Sequence, residues 1–476
     1  MKEFRCLAFL LLLALTACGR EMLSRDDANA PTGWAVCENL EGGTFALTGG
    51  AKDSSRGVEG RQIVLLSDGA DMRPAIEAAI RDYDIIVLDG SQGPFLYSES
   101  SYFEGLRNKT IVGVNGAVIR TAFQFTPELQ EAVKHAGERY DGAVPEPGGG
   151  FRLSNDSLAR NFAGYAMIET LMEHTGDRTM RFMRSGVWAF LHGCGNLIIR
   201  NLFFDGPGTI RGKPDTMIRL RHDCDHVWID HCTFEDPGCL ALGITKRSDC
   251  VTVSWCEFRF TGQSNGHSLG VLISSSDEDW EDEDFLNVTF DHCLWSDVWS
   301  RIPMARFGTV HVLDNCFDCP GTVGINPRQN AEFLVEGCWF SEGVKPFCDY
   351  RIDVAPPKAY VFRDSRCDPQ FELPSSGQVS VPYDYDVTSP ERSRDEVRAF
   401  AGPTLRDPLR IRPVPADRRT AAGLRSAASG CSAPAPPTVS CAVCDRLSPA
   451  GPSPCPCPGV DTPAAVRWPA GEMAFH

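Results

Sequence analysis

The feature of this sequence that most constrains its fold is a series of short β-rich runs that close on similar turns. The closing residues are, in chain order, Asn201, Cys232, Cys256, Cys293, Asn315 and Cys338. They are separated by 31, 24, 37, 22 and 23 residues, a base period near 22 to 24 with occasional longer loops. One coil of this length cannot bury its own apolar face, so successive coils must stack to form a core. The series therefore predicts an all-β solenoid, a right-handed parallel β-helix, over residues 46–405.

Cysteine occupies four of these six turns. Stacked neighbours in a sheet lie about 4.8 Å apart, which is within the Cα range of a disulfide. Side chains in such a ladder point the same way, however, and a free cysteine behaves as a small apolar group, so buried thiols are favoured. Disulfides remain the alternative if the chain is exported. Zinc is disfavoured, because the spacings are coil periods and no two of these four cysteines form a C-x-x-C pair.

The ends of the solenoid need polar caps, because a terminal coil exposes one edge of the core. Apolar residues at helical spacing predict a capping helix over residues 72–82, between a strand at 62–66 and a buried strand near 84–90. A second segment, residues 122–183, is predicted to be an insertion that contains one helix near 127–139.

The N-terminus has the pattern of an export signal. Residues 1–17 combine a basic start, an apolar run too short to span a bilayer stably, and a small-residue cleavage site. Leu15-Thr-Ala-Cys18 resembles a bacterial lipobox, which implies that Cys18 carries a lipid and that residues 18–45 form a tether. We therefore expect an exported bacterial lipoprotein at the outer membrane or cell surface. An ordinary secretory signal is the alternative.

The C-terminal segment, residues 406–476, has a different composition from the rest of the chain. From residue 414 it is rich in Pro, Ala, Ser and Cys, and the frequent prolines prevent a core helix or sheet. We predict a disordered tail. A metal site at Cys441-Ala-Val-Cys444 is the weaker alternative.

The charge of the chain limits its partners. With 46 Lys and Arg against 63 Asp and Glu, the net charge is −17, which argues against nucleic acid. An acidic protein that binds an acidic polymer needs local cations, either arginines or a bound metal. We expect the protein to act as a monomer.

Three motifs carry a family resemblance. Arg301-Ile-Pro-Met-Ala-Arg306 places two guanidinium groups five residues apart beside a proline. Val227-Trp-Ile-Asp-His231 precedes it and Arg328-Gln-Asn330 follows it, inside the repeated strands. In this order, over roughly residues 45–405, they resemble the pectate and pectin lyases, a polysaccharide lyase family. The resemblance implies a parallel β-helix that cleaves polygalacturonate or pectin-like uronate polymers by β-elimination.

The two arginines are the candidate reactive groups. Elimination needs a base at C5 of the sugar, a cation on the C6 carboxylate and a fixed sugar pose. The resemblance implies that Arg301 is the base and that Arg306 binds the carboxylate. A free guanidinium hardly deprotonates at neutral pH, so burial and nearby cations would have to lower the pKa of Arg301. Surface ion pairs at both arginines are the alternative interpretation.

This sequence departs from the pattern of the family at the calcium site. The resemblance implies carboxylate ligands on adjacent coils, and of the first pair only Asp215 remains. Cys239 and Gly243 occupy the places of the second pair, although Ca²⁺ requires several oxygen ligands. Calcium is therefore an open expectation, with Asp215 as its candidate ligand. The family's lysine before the next strand is replaced by His267 or Ser268, and we assign His267 to substrate binding.

Several alternatives remain open. The acidic run Asp277–Asp284 could gather calcium, or it could be a solvated loop. A β-helical hydrolase would need paired aspartates as acid and base, and no such pair is visible. Asp230 and His231 are interpreted as structural. The remaining functional alternatives are a calcium-independent, pectin-lyase-like enzyme and a non-catalytic polysaccharide-binding lipoprotein.

Overall fold

A computed structural model describes eleven parts of the 476-residue chain. These are residues 30–38, 40, 42–51, 60–138, 143–145, 151–153, 157–179, 184–208, 215–262, 268–348 and 355–411. The predicted export signal, Cys18, His267 and nearly all of the predicted tail lie outside these ranges. Among the described residues, no helix combines the length and apolar character that a membrane span requires.

The described residues form three parallel sheets, and the first of these has ten strands, one from each successive coil. Its strands are Gln62–Leu66, Ile85–Asp89, Arg107–Val114, Gly195–Arg200, Asp225–Asp230, Asp249–Ser254, Val288–Asp291, Thr309–Leu313, Glu332–Glu336 and Ala359–Arg363. Side chains that point inward form a buried column of Leu197, Val227, Val251, Val288, Val310 and Phe333. This column fixes the register, because a slip of one residue would turn it toward solvent.

The second sheet has eight short strands. They are Phe95–Tyr97, Val118–Thr121, Phe203–Asp205, Thr233–Glu235, Glu257–Arg259, Leu294–Ser296, Cys316–Asp318 and Trp339–Phe340. Inside it, aromatic rings stack from coil to coil, with centroids 4.4 to 5.9 Å apart: Phe204, Phe234, Phe258, Trp295, Phe317 and Phe340. Each such pair contributes about 0.5–1.5 kcal/mol beyond its burial.

The third sheet has seven strands and carries the candidate site. They are Ser101–Glu104, Trp188–Leu191, Ile218–Arg221, Leu240–Thr245, Leu269–Ile273, Met304–Arg306 and Asn326–Arg328. The strand Leu240–Thr245 is buried at every position, whereas burial alternates along others of this sheet. Ile218 and Leu220 are fully buried, for example, while Arg219 between them points to the outer face. The three parallel sheets confirm the predicted right-handed parallel β-helix.

The turn that follows the first sheet has one residue in the left-handed conformation in each of the seven coils from the strand Gly195–Arg200 onward. These residues are Asn201, His231, Trp255, His292, Asp314, Gly337 and Asp364, with φ between 48° and 63°. The strand registers on both sides of the turn place Leu202, not Asn201, beside Cys232. The cysteine and asparagine ladder inferred from sequence is therefore shifted by one residue at its first coil and in register from Cys232 onward.

The ladder cysteines are thiols. Cys232, Cys256, Cys293 and Cys338 are fully buried and form no disulfide. Burial raises the pKa of the Cys256 and Cys293 thiols, so both are kept neutral. Asn315 occupies the same column and donates from Nδ2 to two backbone carbonyl oxygens at 2.7 and 2.8 Å. The column is thus filled by small apolar groups and one fully bonded amide.

Helices cap the solenoid and fill the insertion. The described α-helices are Arg73–Asp82, Pro127–Glu138, Ser157–Thr175 and Pro390–Phe400, and short 3₁₀ turns lie at Gly33–Val36, Gly90–Gln92 and Trp280–Asp282. The first matches the predicted capping helix, and the second matches the helix predicted in the insertion. The third was not predicted, because its apolar residues are spread around the helix. It packs on the second through Leu129, Val133, Met167 and Leu171, and an antiparallel pair, Ala143–Pro145 with Phe151–Leu153, lies between them in the chain.

The described part of the predicted tether packs on the outer face of the first sheet. The Trp34 backbone N–H donates to Thr289 Oγ1 at 3.0 Å, and the Ala35 N–H donates to Thr252 Oγ1 at 3.0 Å. The Trp34 side chain is buried there. Residues 30–38 therefore cover part of this sheet.

Candidate functional site

The site is built around the turn that enters the strand Met304–Arg306 of the third sheet. Arg301 lies in this turn with a φ of 63°, in the left-handed region that costs most residues energy. Its carbonyl oxygen accepts a hydrogen bond from the Val271 N–H at 2.8 Å. A Cβ at Gly270 would lie 2.5 Å from that oxygen, so the close approach of the two coils requires glycine there.

The Arg301 side chain is partly buried and has no hydrogen-bond or ion-pair partner among the residues that the structure describes. Burial lowers the pKa of Arg301, and repulsion from Arg306 and Arg328 lowers it further, while Cys239 acts in the opposite direction. A guanidinium that is partly desolvated and lacks a carboxylate is unfavourable in a structural role. It is suited to meeting a negatively charged ligand.

Two more arginines complete what we call the arginine cluster: Arg301, Arg306 and Arg328. Arg306 and Arg328 are direct neighbours in register on adjacent strands. Arg306 pairs with Asp277, whereas Arg328 donates from Nε to the amide oxygen of Asn326 at 3.2 Å. Burial and the charge of Arg306 lower the pKa of Arg328. Three guanidinium groups thus share one carboxylate among the described residues.

Arg328 was noted in sequence only as part of a family motif and was given no role. It follows Arg306 by 22 residues, which is one coil of the solenoid. That spacing is the signal that could have placed the two side chains together.

Three carboxylates of the acidic run after the strand Leu269–Ile273 form ion pairs. Asp277 pairs with Arg306, while Lys246 Nζ lies 2.5 Å from an oxygen of Asp279 and 2.9 Å from one of Glu281. Within the described ranges, no group of three or more His, Cys, Asp and Glu side chains is arranged to hold a metal ion. The run therefore serves here as a loop held by ion pairs.

Asp215, the candidate calcium ligand, is held by donors of the protein itself. Its Oδ2 accepts from Ser100 Oγ at 2.9 Å and from the Tyr102 hydroxyl at 3.3 Å, and its other oxygen pairs with Arg219. The residue beside Arg219 on the next strand is Gly243, which offers no ligand. A hard cation needs several oxygens, so the described residues at this place do not fit Ca²⁺.

The structure brings some of the predicted site residues together and separates others. Arg301 and Arg306 lie in one cluster, whereas Asp215 precedes a strand three positions away in the third sheet. Asp230 and His231 lie on the first sheet and its turn, where Asp230 binds the buried Arg200. The roles predicted for His267 and Cys18 fall outside the described residues.

Comparison with known proteins supports the resemblance seen in sequence. Residues 175–353 match the family model described as pectate lyase. The chain is similar to the probable pectate lyase A of Aspergillus flavus, with 31% identity over 218 residues, 44% of this chain and 63% of that protein. It is also similar to the pectate trisaccharide-lyase of Thermotoga maritima, with 33% identity over 137 residues, 28% of this chain and 36% of that protein. The chain thus spans less than two thirds of the length of these relatives.

Among solved structures, the chain is similar to Jun a 1, the major allergen from cedar pollen. The TM-score is 0.50 and the identity is 14%, over 81% of this chain and 98% of that chain. At this identity the likeness bears on the fold alone, and it agrees with the parallel β-helix described above.

Proposed function

We propose that this chain, which carries a pectate lyase family domain over residues 175–353, is a polysaccharide lyase acting on pectate-like uronate polymers. The observation that carries the proposal is the arginine cluster on the outer face of the third sheet. There, Arg301 has a lowered pKa and no carboxylate partner among the described residues.

The cluster supplies the groups that β-elimination needs. Arg306 and Arg328, neighbours in register, bind the C6 carboxylate of one sugar unit and acidify its C5–H bond. Arg301, in its neutral form, takes the C5 proton. The electron pair left on C5 then forms the C4–C5 double bond as the C4–O bond breaks, and the leaving oxygen takes a proton from solvent. The product carries an unsaturated uronate at its new end.

The positive charge of the cluster acts twice in this scheme. It stabilises the enolate-like intermediate, in which a second negative charge develops on the carboxylate. It also keeps the pKa of Arg301 below its ordinary value, so that the neutral base is reached at a less extreme pH.

A second candidate, calcium-independent elimination on methyl-esterified pectin, is favoured by one observation. Cys239 and Gly243 stand where the resemblance implies carboxylates, so the described site lacks the ligand charge that would hold calcium beside the substrate. Because a methyl-esterified chain is neutral, it would need less positive charge beside the arginine cluster than pectate does.

The test is to incubate the protein with polygalacturonate and with methyl-esterified pectin, and to follow the ultraviolet absorbance of the unsaturated product. Product from polygalacturonate supports the first candidate, and product from pectin alone supports the second. Binding of either polymer without any product would instead indicate a non-catalytic polysaccharide-binding protein.

We also propose that the chain is exported and anchored to a bacterial membrane by a lipid on Cys18, on the strength of Leu15-Thr-Ala-Cys18. Cys18→Ser should move the protein from the membrane fraction to the soluble fraction. A wild-type protein that is already soluble and cleaved elsewhere would contradict the anchor.

A further inference from the structure

The exposed aromatic side chains all lie on or beside strands of the third sheet. Among the described residues, the large aromatic side chains that are exposed are Tyr102 (43%), Trp280 (52%) and Trp299 (37%). Tyr102 lies on its first strand, Trp280 follows the strand Leu269–Ile273, and Trp299 precedes the strand Met304–Arg306. Single exposed apolar residues need no explanation, but a grouping on the face that carries the arginine cluster suggests a binding surface.

Trp280 is exposed but not loosely held. It begins the 3₁₀ turn Trp280–Asp282, and its ring meets the buried ring of Phe307 edge to face, with centroids 5.4 Å apart. Lys246 fixes both chain neighbours of Trp280 through its ion pairs with Asp279 and Glu281. The indole is therefore pre-organised, so binding a ligand to it costs little ordering entropy.

Trp299 is held by its backbone. Its N–H donates to the Ser268 carbonyl at 3.0 Å, and its own carbonyl accepts from Thr322 Oγ1 at 3.0 Å and from the Val323 N–H at 2.9 Å. It stands two residues before Arg301. These bonds hold the backbone from which the indole extends, next to the proposed base in the chain.

The two tryptophans lie at opposite ends of the same short strand. Trp299 precedes Met304–Arg306, and Trp280 packs on Phe307, which follows it. Arg306 ends this strand, and Arg328 ends the next one. Trp280 thus lies close to the Arg306 end of this strand through its contact with Phe307, and Trp299 lies two residues from Arg301 in the chain.

We propose that Trp280 and Trp299 are stacking platforms that hold pyranose rings against the arginine cluster. Sugar rings present a face of C–H groups, which packs well on an indole, while the carboxylate at the ring edge reaches the arginines. The tryptophans and the arginine cluster together would favour a polysaccharide whose sugar units combine an apolar ring face with an acidic substituent. This inference rests on the proposed function for the identity of its ligand, an acidic polysaccharide.

Tyr102 is not part of this pair. Its hydroxyl donates to Asp215, and its strand lies five positions from Met304–Arg306 in the third sheet.

The experiment measures dissociation constants by calorimetry for a hexamer of galacturonate and for a neutral hexamer of galactose. Every protein is the full chain and carries Arg301→Lys, so that turnover is slowed by about 10² to 10⁴ during the titration. Trp280→Ala and Trp299→Ala should each weaken binding of the acidic hexamer roughly tenfold, as expected for the loss of one indole contact. Trp280→Phe should retain most of the affinity, because it keeps an aromatic face.

Trp339→Ala is the matched control, since Trp339 lies on the second sheet, away from the cluster. It should leave the affinity unchanged. Thermal unfolding of each variant checks that the fold is kept.

The outcomes separate this inference from the proposed function. If both alanine variants bind the acidic hexamer as tightly as their parent, the stacking role of the tryptophans is wrong. The proposed elimination by the wild type is not affected by that result. If only the neutral hexamer binds and the alanine variants lose it, the platforms stand and the uronate substrate is wrong. If neither hexamer binds any protein, the platforms are wrong, and the absorbance assay on the wild type decides the enzyme independently.

Discussion

Two buried or partly buried arginines in this solenoid have opposite surroundings. Arg200, on the first sheet, is fully buried, and its Nε lies 2.7 Å from the Asp230 carboxylate. Its Nη1 donates to the carbonyl oxygens of Pro408 and Arg410, both at 3.1 Å. Arg301, on the third sheet, has no such partner within the described residues. The guanidinium of Arg200 therefore has its hydrogen-bond and charge partners within the protein, whereas that of Arg301 lacks them among the described residues. We infer that Arg301 is available to a ligand.

The contrast extends to the two faces as a whole. On the first sheet, Glu336 accepts from the Tyr385 hydroxyl at 2.7 Å and pairs with Arg363 at 2.5 Å and His311 at 3.4 Å. These partners outweigh its burial and lower the pKa of Glu336 to about 2. On the third sheet, the arginine cluster has one carboxylate. We infer that balanced charge marks the face that stabilises the fold, and that unbalanced charge marks the candidate binding face.

The largest effect should follow from Arg301→Lys. Removing a positioned base costs about 10² to 10⁴ in rate, and lysine cannot reproduce the planar guanidinium. We expect the rate of elimination from polygalacturonate to fall by that factor while the thermal midpoint stays within about 2 °C, because no described ion pair is lost. Initial rates by ultraviolet absorbance and a thermal melt measure both. A variant that keeps most of its activity would rule out Arg301 as the base.

Arg200→Ala should give the reverse result. It leaves the buried carboxylate of Asp230 without its guanidinium partner, although His231 and Ser254 still contact it. Breaking one side of a buried pair costs about 3–5 kcal/mol of unfolding free energy. The folded fraction should keep its turnover number, because Arg200 lies on another sheet. Denaturant unfolding and active-site-normalised rates test this. If Arg200→Ala lowers turnover without lowering stability, the division between the two faces is wrong.

The contrast also explains what could be predicted from the sequence. The coil period and the short β-rich runs suffice for the fold, because stacking is the one way such coils can bury their apolar faces. Arg301 and Arg306 are found because they share one short motif. Arg328 lies a full coil away, and recognising it as a partner requires the register of two strands.

Other features could not be read from the sequence because they depend on packing across distant segments. Residues 30–38, predicted as tether, contact Thr252 and Thr289, more than 200 residues away. Leu202, rather than Asn201, lies beside Cys232 in the ladder. No pattern in the sequence shows the length of the turn that causes this shift. The exposure of Trp280 and Trp299 likewise depends on loops whose positions only the folded chain defines.

Arg328→Gln should change the pH dependence of elimination. The positive charge of Arg328 lowers the pKa of Arg301, so removing it raises that pKa. Activity depends on neutral Arg301 and therefore rises with pH, and the rising limb should move to higher pH by roughly half a unit or more. The pH profile of kcat/KM in wild type and variant measures the shift. A structural role for Arg328 alone would lower activity equally at every pH.

The smallest effect is expected from removing calcium. In the described site, Asp215 is already bound to Arg219, Ser100 and Tyr102, and Cys239 and Gly243 provide no carboxylate. In the proposed mechanism, the positive charge that holds the substrate comes instead from Arg306 and Arg328, which are covalently part of the chain. We therefore expect a chelator to change the rate of elimination by less than about twofold, whereas it would abolish activity that depends on a weakly held ion. Rates are measured in chelator and in added calcium, with magnesium as the control for ionic strength. A strong recovery of the rate that is specific to calcium would show that the arginine cluster is insufficient. The calcium ion would then enter with the substrate, and the carboxylates of the substrate would complete the ligands of the ion.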